Sequence, residues 1–198
     1  MATTLQPTLC IVAGPNGSGK TTTTNKLLLH EWTDDSLYIN PDTIAQKQFG
    51  DWNSAEAVHK AAIKATAMRY ECLRQRRNFV FETVFSSDEK LRFVKQAKES
   101  GFFIRIFFVC TDSPEINIRR ITQRYLEGGH EVPISKVISR YYKSLANLKR
   151  VVPLANRLYA YDNSIENHAP RLLLRMVDGL LYKQYEQELP EWARLLLK

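Results

Sequence analysis

The chain has 198 residues, of which 44% are hydrophobic and 25% are charged, and its formal net charge is +7. This length suits one sizeable core and is too short for two comfortable domains, and no apolar run approaches the roughly 20 residues of a membrane span. Residues 1–7 lack a basic patch followed by an apolar stretch. We therefore expect neither a signal peptide nor a membrane protein.

Cysteine usage and charge bear on the compartment and the partners. The chain has three cysteines, an odd number, and they lie in apolar or helical patterns: Cys10, Cys72 and Cys110. We therefore expect them to be reduced and to serve as packing residues in a cytoplasmic protein. The positive charge has two interpretations: nucleic-acid binding, or a site for phosphorylated ligands that needs arginines of its own. Because the basic residues are spread over several helices and not gathered in one tail, we do not expect nucleic acid as the principal partner.

The first predicted elements enclose the most specific motif of the chain. Residues 9–13 form an apolar run that predicts a buried strand, and a helix is predicted over residues 20–31. In a P-loop, backbone amides and the helix N-terminus face phosphate oxygens, the lysine contacts the β- and γ-phosphates, and the threonine hydroxyl is placed to bind Mg²⁺. The residues that match the pattern G-x-x-x-x-G-K-[ST] are Gly14, Pro15, Asn16, Gly17, Ser18, Gly19, Lys20 and Thr21.

Four further apolar runs predict strands at residues 37–39, 79–85, 102–110 and 157–161. Strands that alternate with helical patterns imply a parallel sheet with right-handed crossovers. We therefore predict an α/β fold, a P-loop NTPase three-layer sandwich. Its mostly parallel five-stranded sheet has helices on both faces, in a single domain over residues 1–198.

Capping signals and apolar spacing place the helices between these strands. Two residue pairs resemble capping boxes, in which the side chains at the helix start exchange hydrogen bonds with the backbone: Asn53 with Glu56, and Ser86 with Glu89. Residues 172–185 are predicted to form the last helix. The tail around Trp192 is expected to pack on the core.

An insertion between the fourth and fifth strands, at about residues 112–150, has two helical patterns joined by Gly128-Gly129-His130. P-loop kinases carry a lid at this place, and glycines tolerate the dihedral changes that a hinge requires. The alternative is an ordinary turn that ends a helix. The local sequence favours neither interpretation.

Asp42 follows the second predicted strand in the run Asn40-Pro41-Asp42. Ligands of open α/β sheets bind beyond the carboxyl ends of the strands, so we expect Asp42 near the P-loop. Two roles are open for it. It could orient an acceptor hydroxyl and take its proton, or it could cap the helix that follows.

Glu82 ends the third predicted strand. An acid at this place is typical of a second acidic motif beside a P-loop, which holds Mg²⁺ directly or through water, or contacts the acceptor. The alternative is an acid that caps a loop. We favour the functional role because the strand order should bring Glu82 to the P-loop.

Arginines occur on both helical patterns of the predicted lid. Arginines delivered by lid closure commonly offset the charge of a transferring phosphoryl group, although most arginines on a helix are solvated. Those before the glycines are Arg119, Arg120 and Arg124, and those after them are Arg140 and Arg150.

Together these motifs resemble the zeta-toxin-like P-loop kinases, in the form of a short chromosomal member. The matching segments are residues 14–22, 39–42, 81–83, 120–124, 128–133, 140–148 and 161–164. The resemblance implies an enzyme that uses ATP and Mg²⁺ to phosphorylate an alcohol group, the sugar hydroxyl of UDP-N-acetylglucosamine. It also implies an antitoxin protein as a candidate partner of this chain.

The resemblance also implies a role for each matching residue. Thr22 extends the ATP-binding loop and Asn163 lies near the adenine. Lys20 binds phosphates, Thr21 binds Mg²⁺, and Asp42 is the base for the sugar hydroxyl. Glu82, followed by Thr83, positions the sugar, and Arg124, with Arg120 nearby, stabilises transferred charge. A second arginine that the family keeps before the lid proline has no direct match, so its role passes to His130 or Arg140.

Three functions remain open at this point. The first is a kinase that acts on a nucleotide sugar or a similar small molecule. The second is a kinase whose acceptor is a nucleic-acid end or an antibiotic hydroxyl. The third is a regulatory protein that binds ATP without transfer; a GTPase is not expected, because the guanine-specific Asn-Lys-x-Asp motif is missing.

Overall fold

The computed structural model describes residues 6–27, 33–50, 54–129 and 132–197. Within these ranges the strands are β1 (Thr8–Ala13), β2 (Leu37–Ile39), β3 (Phe79–Thr83), β4 (Phe103–Cys110), β5 (Arg157–Asp162), β6 (Arg171–Val177) and β7 (Leu180–Gln184). The α-helices are α1 (Lys20–Leu27), α2 (Pro41–Phe49), α3 (Ala55–Arg74), α4 (Asp88–Glu99), α5 (Pro114–Leu126), α6 (Ile134–Val151) and α7 (Glu191–Arg194).

One sheet contains all these strands, in the order β2-β3-β1-β4-β5-β6-β7. The strands from β1 to β5 pair in parallel, whereas β6 and β7 pair antiparallel. The predicted α/β fold with a mostly parallel sheet is thus confirmed and each predicted strand is present, but the sheet of the described residues has seven strands and not the predicted five. Because the chain turns from one side of β1 to the other, a crevice is expected at the carboxyl end of β1, between β3 and β4. The P-loop follows β1 at that point.

The predicted last helix at residues 172–185 is wrong, because this segment is the β6–β7 hairpin that extends the sheet beyond β5. Asp178 and Gly179 lie between the two strands with φ of +46° and +83°. Positive φ at both central residues is what a two-residue type I′ turn requires, and Asp-Gly favours it. The tail that follows is as predicted: Trp192 is 3% exposed and its ring centroid lies 6.0 Å from that of Phe108.

The helix starts differ from the two predicted capping boxes. At α3 the cap is Ser54, whose hydroxyl accepts a backbone N–H of the first turn at 3.3 Å, while Asn53 lies outside the described residues. At α4 the N-cap residue is Ser87 and not Ser86, and its side chain makes no capping hydrogen bond. Glu89 is not available for a capping box, because its carboxylate binds two cationic side chains described below.

Four phenylalanines pack the face of the sheet that α4 covers. Phe79, Phe81, Phe93 and Phe102 are buried, with ring centroids 5.8 to 6.3 Å apart. Aromatic pairs at such distances add to the stabilisation from burial alone. The three cysteines are also buried, as expected of packing residues. No helix of the described ranges is long and apolar enough to cross a membrane.

Candidate active site

The P-loop joins β1 to α1 and passes two glycines with positive φ where an added Cβ would collide with a neighbouring residue. A Cβ on Gly14, which has a φ of +149°, would lie 2.0 Å from the Val109 carbonyl oxygen of β4. A Cβ on Gly19, at φ +89°, would lie 2.1 Å from Asn163 Nδ2. These close approaches hold the loop against β4 and against the segment that follows β5.

Two asparagines bind carbonyl oxygens of the P-loop. Asn117 of α5 donates from Nδ2 to Asn16 O at 2.7 Å, and Asn163 donates from Nδ2 to Ser18 O at 2.8 Å. Both contacts join residues more than 100 positions apart in the chain. Because side chains satisfy these carbonyls, the loop is held in its shape without a ligand. Asn163, predicted from the family resemblance to lie near an adenine, therefore braces the loop in this structure.

Lys20 lies inside the site with its side chain almost fully buried, at 9% exposure of the residue. Its Nζ donates a hydrogen bond to Pro15 O at 2.8 Å. Burial lowers the pKa of the Lys20 amine, and the negative charges of Glu82 and Asp42 oppose this shift. The amine is therefore a partly desolvated cation, which gains most when an anion binds beside it.

The Glu82 carboxylate connects the end of β3 to the P-loop helix. Its Oε1 accepts from Thr21 Oγ1 at 3.0 Å, and its Oε2 accepts from Thr24 Oγ1 at 2.9 Å and from the Tyr38 hydroxyl at 3.2 Å. Burial and the Glu82 charge raise the pKa of Tyr38, so this hydroxyl remains a donor. The predicted approach of Glu82 to the P-loop is confirmed by this geometry.

The Thr21 hydroxyl and the Glu82 carboxylate also form the kind of oxygen pair that Mg²⁺ prefers. The ion usually keeps several waters and is bound by one or two carboxylates together with substrate phosphates. The two oxygens are 3.0 Å apart at the mouth of the P-loop, so these residues fit such an ion. Elsewhere in the described ranges, no group of three or more His, Cys, Asp or Glu side chains is placed to hold a metal.

Asp42 lies in the first turn of α2, and Asn40 is the residue that caps this helix. The Asn40 Oδ1 atom accepts from the backbone N–H of Asp42 at 2.9 Å and from that of Thr43 at 3.5 Å. The alternative that Asp42 caps α2 is therefore wrong. Because Asn40 satisfies the helix start and Pro41 has no N–H, the Asp42 carboxylate is not needed there and faces the cleft.

These groups line one cleft of about 460 Å³ at the carboxyl end of the parallel strands. Its walls come from the P-loop, the first turn of α2, the end of β3 and the segment after it, helices α3 and α5, the start of α4, and the first half of α6. The predicted site residues that line it are Asn16, Gly17, Gly19, Lys20, Thr21, Thr22, Asp42, Glu82, Thr83, Arg120, Arg124 and Arg140.

Two of the cleft arginines are held by neighbouring polar groups. Arg120 donates from Nη1 to Asn163 O at 2.8 Å and from Nη2 to Ser164 O at 3.4 Å. Arg140 donates from Nη1 to Asn16 Oδ1 at 3.4 Å. Both guanidinium groups are thereby oriented around the P-loop from α5 and α6.

The other three arginines divide between the cleft and the surface. Arg124 lines the cleft, and its charge is close enough to lower the pKa of Lys20. Arg119 is exposed. Arg150 pairs with Asp88 at 2.6 Å on the surface. Arg119 and Arg150 are not among the residues that line the cleft.

The two helices of the predicted lid, α5 and α6, follow β4 and precede β5 as expected. Gly128, at φ +87°, ends α5, and the Gly129 N–H bonds to Arg124 O at 2.9 Å. This hydrogen bond is typical of a turn that ends a helix. Of the two interpretations of the glycine segment, a hinge or a helix-ending turn, the structure shows the geometry of the turn. His130, predicted as a substrate-binding residue, lies outside the described residues.

Several cleft residues escaped the sequence reasoning, notably Arg69 of α3 and Lys90 of α4. Arg69 is 2% exposed, and its guanidinium lies 5.2 Å from the centroid of the Phe81 ring. The available signal was its spacing: Arg69 falls on the same face as the buried alanines Ala61 and Ala65. An arginine on the apolar face of a helix is unusual unless it has a partner or a ligand.

The fold and the P-loop site place this chain in the class of P-loop kinases. The chain belongs to the zeta toxin family, since the family model described as Zeta toxin matches residues 1–170. An uncharacterized protein of Haemophilus influenzae is 32% identical to it over 130 residues, which is 65% of this chain and 88% of that protein.

Solved structures share the fold at low sequence identity. A chain of the AvrRxo1-ORF1:-ORF2 structure with ATP matches with a TM-score of 0.68 and 18% identity, over 96% of this chain and 62% of that one. A chain from the PezAT chromosomal toxin–antitoxin system of Streptococcus pneumoniae matches with a TM-score of 0.65 and 16% identity, over 98% of this chain and 86% of that one. This chain therefore spans less than two thirds of the AvrRxo1 relative.

Proposed function

We propose that this chain is an ATP-dependent kinase that phosphorylates a hydroxyl group of a small molecule. The observation that carries this proposal is the position of Asp42, whose carboxylate lines the same cleft as the P-loop lysine. A nucleotide switch has no use for a group that takes a proton from an alcohol, whereas transfer to an alcohol needs one. The relative solved with ATP supports the choice of nucleotide.

In the proposed reaction, the acceptor oxygen forms a bond to the γ-phosphorus while the bond from that phosphorus to the β,γ-bridging oxygen breaks. The hydroxyl proton passes to the Asp42 carboxylate, and ADP leaves with the electron pair of the broken bond. Lys20 contacts the β- and γ-phosphates from its buried position. Residues Gly14, Pro15, Asn16, Gly17, Ser18, Gly19 and Thr22 complete the ATP-binding loop, with Asn163 as its brace.

The remaining cleft residues supply charge and orientation. Thr21 and Glu82 would hold Mg²⁺, which offsets the charge of the phosphates when it is bound. The contact between Glu82 and Thr21 supports this role for Glu82 over the positioning of a sugar. Arg120, Arg124 and Arg140 offset the charge on the transferring group.

For the acceptor, the family suggests the sugar of UDP-N-acetylglucosamine. Thr83 lines the cleft next to Glu82, and its hydroxyl accepts the Phe85 backbone N–H at 3.0 Å. His130 is proposed to contact the acceptor from the lid, which comprises α5 and α6. Since the PezAT relative comes from a toxin–antitoxin system, a neutralising partner protein is proposed as well.

The proposal is tested by mass spectrometry of nucleotide sugars and other hydroxyl metabolites incubated with the protein, ATP and Mg²⁺. We expect one acceptor to gain a phosphate with the wild type and none with Asp42→Asn, which keeps the side-chain size and removes the base. Asp88→Asn is the matched control, because Asp88 is an exposed first-turn carboxylate that pairs with Arg150. Wild-type turnover by Asp42→Asn contradicts the mechanism, and ATP binding with no acceptor contradicts the kinase.

A further inference from the structure

A second cationic cluster lines the cleft from elements other than the P-loop, where α3 contacts the start of α4. Arg69 donates from Nη2 to Thr66 Oγ1 and to Glu89 Oε1, each at 3.0 Å. Lys90 donates from Nζ to Glu89 Oε2 at 2.5 Å. The side chains of Arg69 and Lys90 are only 3% and 19% exposed, yet both residues line the cleft.

This cluster has one more positive charge than its single carboxylate can neutralise. The Arg69 Nε atom is buried without a hydrogen-bond partner among the described residues. The same guanidinium lies near the rings of Phe81 and Phe93, with 5.2 and 5.4 Å to their centroids, and its side chain is 3% exposed, so little of it meets water. Burial lowers the pKa of Arg69 and of Lys90. A desolvated excess charge of this kind is stabilised by an anion that enters the cleft.

The nucleotide does not account for these two cations. Its phosphates have the P-loop, Lys20 and the arginines of α5 and α6, which are all built from other elements. Arg69 and Lys90 instead line the cleft from α3 and α4, as do Ala62, Thr66 and the segment that follows β3, and Arg69 contacts Thr66 directly. Asp42 and Glu82 line the same cleft, so a molecule with its hydroxyl at Asp42 can extend toward the cluster.

We propose that Arg69 and Lys90 form a subsite that binds an anionic group, a phosphate or a carboxylate, on the acceptor molecule. This inference rests on the proposed kinase function and narrows its substrate class to anionic hydroxyl compounds. The cluster binds the group and takes no part in the transfer itself.

A second cavity, of about 270 Å³, is the competing place for such a group. It lies along α6 and is lined by Lys136, Arg140 and Lys143 with Ser86 across from them. Lys136 and Lys143 are exposed and therefore hydrated, so an anion gains less there than beside buried cations.

The test uses glucose, glucose 6-phosphate, glucuronate, N-acetylglucosamine and UDP-N-acetylglucosamine as acceptors with ATP and Mg²⁺. We expect transfer to anionic acceptors and little to neutral ones, and the phosphate and carboxylate compounds identify which anion is preferred. For the best acceptor, Lys90→Met should raise its KM roughly tenfold or more, with the KM of ATP and kcat nearly unchanged. Lys90→Arg should restore the KM, and Glu89→Gln should lower it because the excess positive charge grows.

Two variants are controls. Lys95→Met removes an exposed lysine of the same helix, which pairs with Glu99 at 3.8 Å, and should leave the KM unchanged. Lys143→Met removes a cation of the second cavity and should also leave it unchanged. Lys90 is the primary target because Arg69 joins α3 to α4 over the aromatic core, and its loss could unfold the protein.

Equal use of neutral acceptors, a wild-type KM for Lys90→Met, or a raised KM for Lys143→Met would each overturn the subsite while the kinase stands. If no acceptor is phosphorylated, the proposed function fails and the subsite is tested by binding. Calorimetry then measures pyrophosphate binding to protein whose P-loop is filled with a non-hydrolysable ATP analogue. We expect binding that Lys90→Met weakens roughly tenfold, and no binding to the wild type would overturn the subsite.

Discussion

Replacement of Lys20 by methionine should separate nucleotide binding from stability. Lys20 is a buried cation with a hydrogen bond to Pro15 O, and burial lowers the pKa of its amine. Burial of a cation that is not held in a salt bridge costs free energy, and an apolar side chain at the same place does not carry that cost. Without ATP, we therefore expect Lys20→Met to unfold at the wild-type Tm or up to roughly 8 °C above it. That upper limit corresponds to a gain of about 2 kcal/mol in the free energy of unfolding.

The effect of ATP should differ sharply between the two proteins. At an ATP concentration of about 100 times Kd, the wild type gains about 2.7 kcal/mol, which raises Tm by about 5–11 °C for a chain of this length. If Lys20→Met weakens Kd about 100-fold, the gain at the same ATP concentration is about 0.4 kcal/mol, or about 1–2 °C.

Thermal unfolding followed by circular dichroism, with and without ATP and Mg²⁺, measures both effects. Lys95→Met is the control for the loss of one lysine and should keep the full ATP shift. A loss of more than about 2 kcal/mol without ATP would show that Lys20 is a structural ion-pair partner, contrary to the reasoning from burial. A full ATP shift in Lys20→Met would show that the nucleotide does not contact this amine.

Three further predictions concern the loop, the thiols and the tail. Gly19→Ala should weaken ATP binding about 10- to 100-fold in calorimetry, because its Cβ meets Asn163 Nδ2 at 2.1 Å, and adding Asn163→Ala should recover part of the loss. Burial raises the pKa of Cys10 from 9.0 to about 11, so the thiol ionises first in the unfolded state and stability falls as pH rises between these values. Denaturant titrations should show a loss of about 2.7 kcal/mol over this range, with a shallower loss for Cys10→Ala. Trp192→Ala should cost about 3–5 kcal/mol, seen as a Tm lower by about 6–20 °C, because Trp192 is buried against Phe108; a change below about 1 kcal/mol would contradict the packing of the tail.

The hairpin at the end of the sheet shows how a local signal can be missed. Residues 172–185 contain enough apolar side chains for a helical face, and a helix is what we predicted there. The Asp178-Gly179 pair between two apolar runs is a strong hairpin signal, because only a few residues adopt positive φ at both central positions of the turn. In this segment the Asp-Gly pair indicates the observed hairpin, whereas the apolar content alone does not distinguish a helix from two strands.

The sequence by itself determined the P-loop, the five parallel strands and the approach of Glu82 to the phosphate site. These features depend on short contiguous segments and on the rule that parallel strands present their carboxyl ends at one edge. Only the tertiary structure decided that Asn40 caps α2 and leaves Asp42 to the cleft, that Asn117 and Asn163 brace the P-loop, and that Arg150 pairs on the surface. It also brought Arg69 and Lys90 to one carboxylate. Most of these contacts join positions far apart in the chain. Which side chain reaches which partner depends on how the helices pack on the sheet, and a local sequence pattern does not specify that packing.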